Sequence, residues 1–256
     1  MKHEKFNYKT LEEVKEKAKE LDLHLPFAET TAVLKQKLRI NANVTWENRM
    51  GIAPMEGADS LPDGSPSDLT LKRYVDEAVG GSGVIWFEAI SIAPEARSSS
   101  HQLMLTKDNV EAYKKFTNAI KEAGITANGY APYLIMQANH SGRYSNPNDK
   151  ASPLIAYRHP EYEKLRAADD SCIVSDDYLK SLEEKFGEVA KLAKDAGFDS
   201  VDVKACHGYL LAELLSAYNR PGAYGGSFEN RTKDTIVIGS GAAGFSAAAR
   251  LFEYGK

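Results

Sequence analysis

Strand-like and helix-like segments alternate along this 256-residue chain, and the alternation leaves few folds open. Val84, Ile85, Trp86 and Phe87 form an unbroken apolar run, which suits a parallel strand covered on both faces. A helix precedes it: Ser67 can cap the start, Leu71, Tyr74, Val75 and Ala78 share one stripe, and Gly80 and Gly81 end it. The next helix starts at Thr106 or Asp108, aligns Val110, Tyr113, Phe116 and Ile120, and stops at Gly124. A strand from Ala131 to Met136 follows and delivers Gln137 and His140 to its end. A further helix spans Ser175 to Ala196, with Leu179, Leu182, Phe186, Val189, Ala193 and Ala196 on one face and Gly197 at the stop. After it Val201 and Val203 alternate with Asp202 and Lys204, the period of a two-faced strand.

With Asn48 to Pro54 as the first strand, the pattern gives three complete strand–helix repeats and a fourth begun. Such alternation implies a parallel sheet with right-handed crossovers. A closed barrel of this type needs eight strands and typically about 250 residues. Residues 38–233 hold four, so the fold class is α/β, a partial (βα) TIM barrel of about four units. Reactive side chains at the strand C-terminal ends are then expected to form the site.

Residues 1–37 read as a separate helical extension. Thr10 to Glu13 has the pattern of a capping box, opening a helix with Leu11, Val14, Ala18 and Leu21 on one side. The long polar segment from Ser145 to Ser175 has the length of a lid or substrate loop. A formal net charge of −4 argues against a nucleic-acid surface. Cys172 and Cys206 sit in no metal-ligand spacing, and no metal or iron–sulfur centre is expected. No apolar run approaches the roughly 18 residues of a membrane span, and the first residues lead into no secretory signal. Reduced thiols and a cytoplasmic location are the expectation.

The residues Lys204-Ala205-Cys206-His207-Gly208-Tyr209-Leu210-Leu211, followed by Tyr224-Gly225-Gly226 and Asn230-Arg231, resemble the fourth-strand signature of the Old Yellow Enzyme family, including its 2,4-dienoyl-CoA reductase branch. Asn48 to Met55 is similar to the family's first barrel strand, and Gln137 to Tyr144 to its third. The resemblance covers about residues 38 to 232. It implies an FMN-dependent, NAD(P)H-using ene-reductase acting on a small enoyl- or enone-like substrate. Tyr209 is then the proton donor, and His207 and Lys204 polarise the substrate carbonyl. Ala53, Pro54, Met55, Ala89 and Gln137 line the flavin, Gln137 at its pyrimidine edge. His140 and Arg143 would sit on the rim, with a salt-bridged Arg143 as the equal alternative, and residues 26–40 would form a hairpin plugging the barrel bottom. Two positions depart from the family pattern: Lys204 stands where many relatives carry His, and Glu56 where they usually carry a small or hydroxyl residue.

The tail follows a different pattern. Thr235 to Arg250 reads as strand, glycine turn and small-residue helix, with Gly239, Gly241 and Gly244 in G-x-G-x-x-G spacing. It resembles the opening of an FAD-binding Rossmann domain, so residues 234–256 read as a truncated dinucleotide-binding βα unit that could take FAD. The same unit could instead pack as a fifth βα element. Three functions therefore stay open: a reductase, in which two chains pairing as a homo-oligomer would complete the barrel; a non-catalytic half-barrel; or a dinucleotide module using the glycine tail.

Overall fold

The computed structural model describes residues 5–232. The glycine-rich unit at Gly239, Gly241 and Gly244 lies outside the described residues. Helix α1 (Leu11–Glu20) begins where Thr10 accepts from the Glu13 amide, but the box is not closed as the sequence predicts. The Glu13 carboxylate accepts from Lys9 N, one residue before the cap. Strands β1 (Leu38–Arg39) and β2 (Thr45–Trp46) pair antiparallel, so the hairpin begins within the expected residues 26–40 but its second strand lies beyond them.

Next come β3 (Gly51–Ile52), α2 (Asp68–Val79), β4 (Val84–Ser91), α3 (Val110–Asn128) and β5 (Tyr133–Asn139). After a short α4 (Pro160–Leu165) the pattern resumes with α5 (Asp176–Asp195), β6 (Ser200–Val203), α6 (Leu210–Ser216) and α7 (Phe228–Thr232). β3, β4, β5 and β6 form one parallel sheet in chain order. Local chemistry sets the helix ends. Ser67 and Thr70 close a full capping box on α2, and Ser175 accepts from Tyr178 N on α5, whose first turn carries Asp176 and Asp177.

Two expected boundaries moved. α3 runs past Gly124 and ends at Gly129, in the left-handed region at φ 82°. Gly124 is instead a close-approach position, where a Cβ would stand 2.7 Å from Pro132 Cδ. The first strand is far shorter than Asn48 to Pro54, because only Gly51 and Ile52 find partners on β4.

The sheet has two unlike faces. Ile85, Phe87, Ile90, Leu134 and Met136 join Tyr74, Phe116, Leu179, Val189 and Phe198 in the main core under α2, α3 and α5. Phe87 stacks on Tyr74 at 4.2 Å and meets Phe198 edge-on at 4.9 Å. On the other face Trp46 of the hairpin packs with Val84, Ile135 and partly buried Trp86 and Tyr133. These residues lie near the N-terminal ends of β4 and β5, so the hairpin closes the bottom of the sheet. Above them this inner face turns polar.

Candidate active site

A bulge in β4 shapes the inner face. Trp86 pairs with Ile135 and Ala89 with Gln137, so three steps along β4 match two along β5. Strict alternation from Trp86 would turn Glu88 inward. The extra residue returns Ala89 to the inner row and leaves Glu88 to bond Arg73, the Tyr74 hydroxyl and Gly57 N. β4 therefore extends past Glu88 and Ala89 to Ser91. Gln137 in turn aligns with Asp202 on β6, so Ala89, Gln137 and Asp202 form one row across three strands.

Two residues on, Lys204 shares the face of Asp202, and its N–H donates to Ala138 O. The side chain is 6% exposed. Burial lowers the ammonium pKa, against the opposing effects of Cys206, Glu56 and Asp202. Lys204 Nζ lies 4.5 Å from the centre of the Tyr209 ring, and among the described residues it makes no ion pair. Neither of the nearby strand carboxylates, Asp202 and Glu88, is within pairing distance; Glu88 is taken by Arg73 at 2.9 Å.

His207 and Gly208 turn the chain sharply, with φ of 61° and 65°. The left-handed conformation at His207 costs on the order of 1 kcal/mol for a non-glycine residue. It leaves the imidazole exposed, with Nδ1 3.6 Å from Cys206 Sγ. Tyr209 then occupies the N-cap of α6, half-buried, its ring 5.6 Å from Tyr144 and 6.1 Å from His207. Burial and the nearby Glu56 carboxylate push its hydroxyl up to about 12. Ala53, Pro54 and Met55 follow directly on β3, at the same end of the sheet, and Met55 is 80% exposed. Glu56 is held there by the Ser98 hydroxyl, and its charge is felt at both Lys204 and Tyr209.

His140 and Arg143 are not rim residues; Arg143 is instead salt-bridged, the alternative left open for it. Both are buried. His140 Nδ1 accepts from Gly142 N, so Nε2 carries the proton and donates to Tyr178, which donates to Glu95. Burial holds its pKa at about 4. Arg143 pairs with Glu213 at 2.5 Å and donates to the Tyr157 and Arg166 carbonyls, joining the β5 loop, the segment before α5, and α6. That segment is less irregular than a bare loop: it holds α4 and a bridge from Ile155 to Ile173, and places Tyr162 beside Gly208.

The sequence reading missed Asp202 and Trp86. Asp202 is buried, with Oδ2 accepting from Gln137 Nε2 at 2.9 Å and Trp86 Nε1 at 3.2 Å. Burial raises its carboxyl to about 6, against those two bonds and Lys204. The period-2 alternation that sets Asp202 and Lys204 on one face carried the signal for Asp202.

A parallel sheet with helices on one face, and polar side chains gathered at its strand C-terminal ends on the other, is part of an α/β barrel of the site-at-the-mouth kind. The chain belongs to the NADH:flavin oxidoreductase / NADH oxidase family, whose sequence model matches residues 37–237. It is 31% identical over 193 residues to an NADPH dehydrogenase of Bacillus velezensis, covering 74% of this chain and 54% of that one. The solved structure of morphinone reductase in complex with tetrahydroNAD superposes with a TM-score of 0.64 at 25% identity, over 78% of this chain and 57% of that one. An Old Yellow Enzyme homologue from Zymomonas mobilis superposes with a TM-score of 0.64 at 26% identity, over 78% and 56%. The chain thus spans about half the length of the relatives it matches. Among the described residues, no helix is long and apolar enough to cross a membrane.

Proposed function

We propose that this chain carries the cofactor-facing and substrate-gripping part of an FMN-dependent, NAD(P)H-using oxidoreductase of the ene-reductase type. The observation that carries the reading is Lys204. A buried lysine that makes no ion pair among the described residues, and that lies against the ring of a phenol, is a hydrogen-bond donor available to an acceptor. It shares its face with Gln137, whose Oε1 enters no hydrogen bond among the described residues.

These residues fit a flavin. Ala89 keeps the centre of the row small, Gln137 offers amide groups to a pyrimidine edge, and Ala53, Pro54 and Met55 supply backbone along one side. FMN, when bound, supplies the hydride. Lys204 and His207 donate to the carbonyl oxygen of an enoyl- or enone-like substrate, where negative charge develops. Tyr209, kept protonated well above neutral pH, gives its proton to the α-carbon. The test is NAD(P)H oxidation by the FMN-supplemented chain with 2-cyclohexenone. Turnover that falls strongly in Lys204→Met supports the reading, and turnover unchanged in that variant contradicts it.

A further inference from the structure

Asp202 lies deep on the inner face, and the chemistry above leaves it without a role. Its Oδ2 receives two donors, Gln137 Nε2 and Trp86 Nε1, while its Oδ1 is buried with no hydrogen bond among the described residues. An ionised carboxylate offers acceptors only. Just one orientation of the Gln137 amide therefore satisfies it. The inverted amide would set Oε1 against Oδ2, two acceptors at hydrogen-bond distance, leaving both unmatched in a buried setting. Trp86 fixes the carboxylate in turn, because its ring is seated in the cluster of Trp46, Val84 and Ile135 at the bottom of the sheet.

We infer that Asp202 is a positioning residue: it locks the Gln137 amide with Nε2 turned inward, so that Oε1 is the acceptor presented to a ligand and the site selects a ring bearing an imide N–H. The inference rests on the flavin reading and deepens it, since it names the ring edge that the face distinguishes. The chain of contacts runs from the hairpin through Trp86 and Asp202 to Gln137, so the bottom of the sheet sets polarity at its mouth.

The experiment compares riboflavin with 3-methylriboflavin, in which the imide N–H is blocked, by quenching of flavin fluorescence. Wild type is expected to prefer riboflavin about tenfold, the worth of one well-placed hydrogen bond in a buried site. Asp202→Ala, which leaves no acceptor to choose between the amide orientations, should bring the two ligands within about twofold of each other, while Asp202→Asn, whose oxygen Trp86 Nε1 holds at the same point, should keep a preference. A purely structural role for Asp202 would weaken both ligands alike and leave their ratio unchanged, and that result overturns the inference. A ligand-free measurement separates this from failure of the flavin reading. The side-chain amide protons of Gln137 should exchange slowly in wild type and rapidly in Asp202→Ala; equal protection in the two also overturns it. Should wild type bind neither flavin, the flavin reading and the selection of an imide ring both fall. The exchange data then decide the Asp202–Gln137 lock alone.

Discussion

Arg143 Nε and Glu213 Oε1 lie 2.5 Å apart, and both side chains are fully buried. The pair fastens α6, and with it Tyr209 at the N-cap, to the loop after β5. Gly142 completes the joint: a Cβ there would stand 2.4 Å from Leu210 N, so loop and helix meet backbone to backbone. Removing one partner leaves a buried charge uncompensated. Arg143→Met should cost about 3 to 5 kcal/mol in denaturant unfolding, and the double variant Arg143→Met/Glu213→Leu less than the sum of its single changes.

Asp202 should make stability rise on mild acidification. Its folded value of about 6 lies above the ordinary carboxylate value, so the folded chain takes up the proton first. As pH falls from about 6 towards 4, this group favours the folded state by up to about 3 kcal/mol. In Asp202→Asn that contribution is absent, and the variant should gain on wild type near neutral pH and lose the advantage near pH 4. Unfolding free energies across that range check it.

His140 should act in the opposite sense. Its folded value is held at about 4, below the ordinary 6.5. The stability of the neutral ring is present in full above the unfolded value and falls by about 3 kcal/mol as pH drops from about 6.5 to 4. His140→Gln should flatten that loss. Because Asp202 and His140 oppose each other over part of this range, each single variant should show a steeper net slope than wild type, one of each sign.

Tyr209→Phe should separate the two half-reactions. Without the phenol, reduction of the alkene should fall by about 100- to 10,000-fold, the usual worth of a positioned proton donor. Reduction of the bound flavin by NAD(P)H should change little. Stopped-flow absorbance of each half-reaction provides the check.

The helices were legible in the sequence because apolar stripes and caps at Ser67 and Ser175 are local signals. The parallel sheet followed from their alternation with apolar strands. Strand ends were less legible. β3 is limited to two residues by what β4 offers it, and Gly124 looked like a stop because its role, letting Pro132 approach α3, depends on a contact outside the helix. Lys204 and Tyr209 do lie side by side. The inward place of Ala89 depends on the β4 bulge, which no pattern in residues 84–91 announces. The burial of His140 and Arg143 was hidden for a related reason: the partners that absorb them, Tyr178 and Glu213, lie 38 and 70 residues away.

The face carrying Ala89, Gln137 and Lys204 is proposed to hold a flavin. Titrating the purified chain with FMN, read by loss of flavin fluorescence and a shift of its visible band, tests this most directly when wild type is run beside Gln137→Ala and Lys204→Met. Wild type is expected to bind saturably, with binding weakened about tenfold or more in Gln137→Ala. Free FMN at every protein concentration, or binding that both variants leave untouched, would contradict it.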